Sequence, residues 1–241
     1  GYTTEYQSDL SIANANVKLT ANATATTNNT NSLILNGYNV DNASVTMPMA
    51  NGTSLAGNIL VNTANTIAGA NTVLGITTNE LPVLATANGT ISATIGTATT
   101  GSLTASGNGN LTLSGANAFT GTTFVNNVTV TEGASNALST GGVTVVGGVF
   151  DLSGNTDSVG AVTMTAGTLQ TGAGTLTTTG TVATVANANL SSKITGTLTV
   201  PAAATINIAE GLVENDAVIS AAITGAGTSL TKATGTGVVV L

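Results

Sequence analysis

The 241-residue sequence predicts an all-β fold, a parallel β-solenoid with about 12 coils of roughly 19–20 residues each. Three observations lead to this prediction: a short internal repeat, brief bursts of alternating apolar and polar residues, and a scarcity of helix-favouring patterns. We expect one domain, a single rod that spans residues 1–241.

The repeat is clearest in the middle of the chain. The stretch GGVTVVGGVFDLSG, from Gly141, matches GAVTMTAGTLQTGA, from Gly160, without a gap. Apolar residues match apolar residues at alternate positions, and glycines mark the bends: Val143 with Val162, Val145 with Met164, Phe150 with Leu169. Equivalent positions at one short period are expected to stack directly above one another in a solenoid.

Alternating bursts continue along the chain in both directions. They occur as SLIL at 32–35, NILV at 58–61, ISATI at 91–95, LTL at 111–113, VTV at 128–130, TLTV at 197–200 and TINI at 205–208. Alternation places one set of side chains on each face of a strand. Thr, Asn, Gly and Val are poor helix formers, so helices are not expected.

An antiparallel sandwich remains the alternative all-β fold. An aromatic content of only 2% favours the narrow core of a solenoid over the aromatic-plugged core that is usual in a sandwich. The three prolines, Pro48, Pro82 and Pro201, are expected at corners, where no ladder donor is lost.

The composition argues against several classes of function. The only basic residues are Lys18, Lys193 and Lys232, there is no Arg, His or Cys, and the net charge is −7. Binding to nucleic acid or to an anionic membrane surface needs clustered cations, so neither is expected. Catalysis by His or Cys and disulfide formation are impossible without those residues. No apolar run is long enough for a membrane span, so this segment is not expected to insert into a membrane.

A second repeat has a much longer period. The stretch from Ile91, ISATIGTATTGSLTASGNGNLTL, matches ISAAITGAGTSLTKATGTGVVVL, from Ile219, with small slips in register. Leu113 then corresponds to Leu241. The C-terminal strand is apolar and uncapped where the repeat would go on. Either the sequence is an excerpt from a longer tandem array, or an assembly edge that pairs with the next subunit is formed by Val238, Val239, Val240 and Leu241. Because the sequence lacks an initiator Met and a signal-like segment, we expect a processed or excised piece of a precursor.

One stretch of the chain resembles a known family. LTASGNGNLTLSGANAFTGTTFVNNVTVTEGASNAL is similar to the autotransporter-associated β-strand repeat found in passenger domains of bacterial autotransporters and related large surface proteins. The matching parts, in chain order, are Leu103-Thr104, Gly107 to Gly109, Leu111 to Leu113, Ser114-Gly115, Asn117, Phe119 and Thr120-Gly121. Phe119 stands where the family commonly has Tyr, and Asn126-Asn127 replaces a more usual Ala-Gly. The resemblance implies a right-handed parallel β-helix that is secreted or displayed on a bacterial cell surface.

Acidic and glycine-rich stretches are the candidates for chemical sites. Asp151 and Asp157 flank a predicted turn, and Glu210, Glu214 and Asp216 lie close together. Such groups could bind Ca²⁺ or cleave glycosides. We favour solvated loops, because β-helical enzymes that cleave acidic polysaccharides generally need Arg or Lys beside the carboxylates, and none is adjacent in the sequence. The loop GNGNLTLSG lacks the Lys and the helix of a phosphate-binding loop, so no cofactor is expected.

A threonine array suggests a further alternative. Thr-x-Thr triplets occur at 129–131, 163–165, 175–177 and 197–199. Stacked on one flat face, they would resemble ice-binding solenoids, but their intervals do not keep one register. We expect Thr to be the ordinary outward residue of short strands.

The function that the sequence favours is structural and not enzymatic. We expect a surface fibre, stalk, sheath or filament subunit, built by coil stacking and associating with itself head to tail or through tandem repeats. The alternatives are an adhesin that binds surface glycans through its flank, an ice-binding solenoid, and a polysaccharide-degrading β-helix.

Overall fold

The computed structural model describes residues 15–19, 21–24, 30–35, 38–41, 46–48, 50–51, 55–56, 58–62, 65–68, 73–75, 80–96, 100–210, 212, 215–232 and 238–241. None of these residues lies in a helix, and among them there is no helix of a length and apolarity that would cross a membrane. The all-β prediction is confirmed.

The strands are short and follow the alternating bursts. In chain order they are β1 Ala15–Lys18, β2 Ala23–Thr24, β3 Thr30–Ile34, β4 Val40–Asp41, β5 Thr46–Pro48, β6 Ala50–Asn51, β7 Leu55–Ala56, β8 Asn58–Val61, β9 Asn65–Ile67, β10 Val73–Gly75, β11 Glu80–Ala85, β12 Gly89–Ile91, β13 Thr94–Ile95 and β14 Ser102–Gly107. They continue with β15 Asn110–Leu113, β16 Thr123–Asn126, β17 Thr129–Glu132, β18 Val143–Val146, β19 Val149–Asp151, β20 Asp157–Val159, β21 Val162–Thr165, β22 Thr168–Thr178, β23 Val182–Thr184, β24 Ser192–Thr199, β25 Thr205–Ile208, β26 Asn215–Thr224, β27 Ser229–Lys232 and β28 Val238–Val240.

Two long parallel sheets form the walls of a solenoid. The first has eleven strands in the order β1-β3-β8-β11-β14-β16-β18-β21-β23-β25-β27, and the second has twelve in the order β2-β4-β9-β12-β15-β17-β19-β22-β24-β26-β28. A third sheet contains β5, β10 and β13. Successive coils therefore contribute one strand to each long wall, and the predicted parallel solenoid is confirmed, against the antiparallel sandwich. The hairpin of β6 and β7 is antiparallel.

The vertical register reproduces the predicted repeat in the middle of the rod. Val143 pairs with Val162, Val145 with Met164, and Phe150 with Leu169. Elsewhere the coils differ in length: Val17 and Leu33 pair across a shorter stretch of chain. Ser32 pairs with Asn58 and Val182 with Ile206, and both of these pairs are separated by more of the chain than Val143 and Val162 are.

The expected coil count is wrong. The solenoid has about seven turns between Glu80 and Ile208, and its coils are unequal in length. Coils lengthen because extra corner residues can bulge from a bend without disturbing the ladders on either side of it.

The core runs along the axis between the walls. In β14, β16, β18 and β21 buried residues alternate with more exposed ones, and the largest buried side chains of the rod include Phe119 and Phe150. Val, Leu and Ile fill the rest in stacked columns, because equivalent residues of consecutive strands lie about 4.8 Å apart.

The outer faces carry threonine, as predicted, but not as one flat array. The triplet at 163–165 belongs to the first long sheet and the other three to the second. Only 175–177 stacks directly on another triplet, 197–199. A single ice-binding face made of all four triplets is therefore not formed.

The proline prediction is only partly right. Pro201 follows β24 at a bend, whereas Pro48 and Pro82 lie within β5 and β11. Pro82 stands just before the ladder between β11 and β8 begins, at Val83. Its missing N–H is tolerated close to that end of the ladder.

Candidate functional site

The predicted edge residues lie at the end of the second long sheet. Val238, Val239 and Val240 form β28, which pairs in parallel with β26 on one side and is the terminal strand of that sheet. Val238 is 48% exposed, Val240 39% and Leu241 80%. Val239 is partly buried and packs against the core. The residues are thus placed at a sheet edge with apolar side chains facing outward.

The first long sheet ends on the same coil. Its terminal strand, β27, pairs with β25 and has no second partner among the described strands, and Leu230 in β27 is 39% exposed. Both walls of the solenoid thus end together, so two parallel strand edges and the core between them face outward at one end. We call β27 and β28 the terminal coil.

A cavity of about 280 Å³ opens at the terminal coil. It is lined by Ile206, Ile223, Gly225, Thr228, Ser229, Leu230 and Leu241. Because Ile206 belongs to the buried core of the rod, this cavity is the axial core reaching the surface.

An ion cluster fastens the terminal coil to the preceding one. Lys232, at the end of β27, contacts Glu210, and its Nζ lies 3.2 Å from Oδ2 of Asp216. The hydrogen bond to Glu210 is the largest cause of the raised pKa of Lys232, and Asp216 also raises it. The expectation of a solvated acidic loop without a neighbouring base is wrong here, because the Asp216 side chain is fully buried and Lys232 reaches it across coils. Glu214 lies outside the described residues.

A second acidic feature lies inside the rod. Glu132 is only 1% exposed and stands in a core column where the preceding coils have Ile67, Ile91 and Leu113. Asp157 is also buried, and its Oδ2 accepts a hydrogen bond from the N–H of Leu138 at 2.8 Å. The prediction of a solvated turn is therefore wrong for Asp157, because the backbone of another coil holds its carboxylate inside the rod.

Burial and proximity control the protonation of Glu132. Burial is the largest cause that raises the pKa of Glu132 to about 9, and the hydrogen bond to Asp157 and the charges of Asp157 and Asp151 raise it further. An ionised Glu132 would have no hydrogen-bond donor facing either oxygen among the described residues. A protonated Glu132 relieves this, since it donates its own proton to the Asp157 carboxylate. At neutral pH the core thus contains a neutral Glu132 that donates a hydrogen bond to Asp157.

Glu132 and Asp157 are both buried, so this pair is part of the core of the rod and not a surface site. Sequence reasoning about acidic clusters did not include Glu132, although a signal was present: Val128, Val130 and Glu132 alternate with outward residues, so period two already places Glu132 inside. Asp151 lies nearby, and its Oδ1 accepts from the exposed N–H of Ser153 at 2.7 Å. Within the part of the chain that the structure describes, no group of three or more metal-binding side chains is arranged to hold a metal ion.

Comparisons with protein-family models, with curated proteins and with solved structures found no match to this chain. The resemblance to the autotransporter-associated repeat therefore stays a prediction. The geometry that singles out a site is that of the terminal coil.

Proposed function

We propose that the chain is an extracellular structural protein, a rod segment that is extended by parallel strand addition at its terminal coil. The observation that carries this proposal is that both long sheets end on one coil whose apolar side chains, Leu230, Val238, Val240 and Leu241, are exposed. The extracellular location rests on the sequence resemblance.

Strand edges supply the binding chemistry. The outer edges of β27 and β28 present backbone N–H and C=O groups in the spacing of a parallel ladder, and an added strand can pair with each. An added coil would also cover the exposed apolar side chains, which is favourable at about 25 cal/mol per Å² of apolar surface. Specificity would come from the alternate side chains that enter the core.

The low charge of the chain agrees with a structural role. Only 5% of the residues are charged, so the chain offers few groups for recognition of charged ligands. Cohesion along the axis then dominates over interactions of the flank.

Self-association of the chain tests the simplest form of strand addition, a head-to-tail filament. Analytical ultracentrifugation over a range of concentrations should give species larger than a monomer, and deletion of residues 236–241 should shift the distribution to the monomer. Leu241→Lys should have the same effect, since it places a charge on the terminal coil. Leu212→Lys is the matched control, because Leu212 is 86% exposed between β25 and β26. A monomer at every concentration, unaffected by the deletion, would exclude the filament.

A further inference from the structure

The long-period repeat gives the terminal coil an internal counterpart. Ile223, Leu230 and Leu241 correspond in this repeat to Ile95, Leu103 and Leu113. The structure preserves the relation, since Leu230 pairs with Ile206 in β25 just as Leu103 pairs with Leu81 in β11. The coil of β14 and β15 is therefore the internal counterpart of the terminal coil.

In the internal counterpart, the following coil places Phe119 next to Gly96, the residue that follows Ile95. The N–H of Ile95 donates to Oδ1 of Asn117 at 2.8 Å, and the N–H of Ala118 donates to the carbonyl of Ile95 at 3.0 Å. These bonds bring Phe119 over Gly96, where an added Cβ would lie 2.9 Å from the Cβ of Phe119. Phe119 is 1% exposed, and Ile95, Leu103 and Leu113 are fully buried, so no cavity of this kind is open at the internal counterpart.

The terminal coil has the same apolar lining, and no described residue covers it as Phe119 covers Gly96. The residues that line the cavity at its surface include Ile206, Ile223, Leu230 and Leu241. Their internal equivalents, in the same order Leu81, Ile95, Leu103 and Leu113, are fully buried. Gly225 shortly follows Ile223 as Gly96 follows Ile95, and both glycines have positive φ, 148° and 82°. The missing Cβ of Gly96 leaves room for Phe119, and Gly225 lines the open cavity.

Building on the proposed strand addition, we propose that this cavity is a seat for an aromatic side chain, and that its partner is a polypeptide coil with the chemistry of residues 114–132. Such a coil has an Asn that bonds the backbone of the preceding coil, an aromatic residue shortly after it, and then an alternating strand, as Asn117, Phe119 and β16 do here. The first described coil of this chain, β1 and β2, has no aromatic residue at 15–19 or 21–24, so a second copy that docks by those residues does not supply the group.

Tryptophan fluorescence tests the seat directly, because the chain has no Trp. Two synthetic peptides of residues 114–132 would be titrated with the full chain, one with Phe119→Trp and one with Phe124→Trp. Phe124 alternates with buried neighbours and points outward from β16, so it is the matched control. We expect a saturable blue shift of the emission for the Phe119→Trp peptide only. Equal, saturable blue shifts of both peptides would overturn the proposal.

A covalent version keeps the test informative if the free peptide binds too weakly. Residues 114–140 would be appended after Leu241, with the added copy unchanged or carrying Phe119→Ala or Phe124→Ala. The unchanged copy and the Phe124→Ala copy should raise the melting temperature by several degrees, and the Phe119→Ala copy should lose most of the gain. Equal gains in all three would overturn the aromatic seat and leave strand addition intact. No gain in any of them would overturn both.

Discussion

The internal coil of β14 and β15 and the terminal coil of β27 and β28 have closely similar sequences but very different surroundings. Leu103 and Leu113 are fully buried, whereas their counterparts Leu230 and Leu241 are 39% and 80% exposed. The difference does not come from the residues of the coil itself. It comes from the coil that follows, which is present above β14 and β15 as β16 and β17.

This contrast shows how cohesion is distributed in the rod. Each strand of a long sheet pairs within that sheet only with the strands of the coils directly before and after it. A coil is therefore completed by its neighbours, and the free energy of the whole is close to a sum over adjacent pairs. Substitutions that remove a neighbour's contribution should make an internal coil behave like the terminal one.

Removal of the Phe119 ring should have the largest effect. Phe119→Ala opens in the interior the same region that is open at the terminal coil, and we expect a loss of about 4 kcal/mol in the free energy of unfolding. Urea denaturation followed by circular dichroism would measure it. Phe124→Ala, on the outer face of the following strand, should cost about 1 kcal/mol or less. Similar losses for both variants would contradict the assignment of Phe119 as the cover of the internal coil.

The second-largest effect on stability should come from the core column that contains Leu113. The following coil has Glu132 in place of an aliphatic residue, and with a pKa raised from 4.5 to about 9 this group keeps its proton in the folded state at neutral pH. In the unfolded chain Glu132 loses its proton above pH 4.5, so folding becomes less favourable as pH rises from 4.5 to about 9, and the penalty is constant above that. Below pH 4.5 there is no penalty, since both states are protonated.

Glu132→Gln should remove this pH dependence. Gln keeps a donor for Asp157 but does not ionise, so the variant should be more stable than the parent by about 3 kcal/mol at pH 7, with the difference growing towards pH 9. Thermal denaturation between pH 4 and 9 would measure the difference. Glu80→Gln is the control, because Glu80 is exposed on β11 and its neutralisation should change stability by no more than about 0.5 kcal/mol. Parallel curves for the parent and Glu132→Gln would contradict the buried neutral acid.

The smallest effect should be local to the terminal coil. Lys232→Met removes the cation that bridges Glu210 and Asp216, so β27 should separate from β25 more often while the interior remains closed. Hydrogen exchange should become faster for the amides of 229–232 and remain unchanged for those of 102–107. Lys193→Met, on the exposed side of β24, is the control. Faster exchange throughout the rod would show that the cluster supports more than the terminal coil.

Much of the fold could be predicted from the sequence because stacking imposes a visible pattern. The matches of Val143 with Val162 and of Phe150 with Leu169 are true ladder partners, and the apolar edge at 238–241 is where the second sheet ends. Coil lengths could not be predicted in the same way. A longer corner, as between Ser32 and Asn58, leaves the alternation of both strands intact and so gives no signal in the pattern.

The burial of the acidic residues could not be predicted from their positions along the sequence alone. The sequence predicts solvated turns for Asp157 and Asp216 because charged side chains usually face water, yet both are buried with partners from other coils. Lys232 is distant from Asp216 along the chain and becomes its neighbour only when the coils stack. The burial of Glu132 could be predicted from the alternation along its strand and not from the spacing of acidic residues, since its inward position follows from Val128 and Val130.

The pairing of each strand with adjacent coils alone has a mechanical consequence. A molecule pulled from Leu241 should peel from that end, because only β28 carries the load at first and its ladder to β26 holds three residue pairs. Each released coil of about 16 to 26 residues would lengthen the tether by roughly 55 to 90 Å. The force trace should therefore be a series of small steps whose lengths differ with coil length, and the rod would yield one turn at a time.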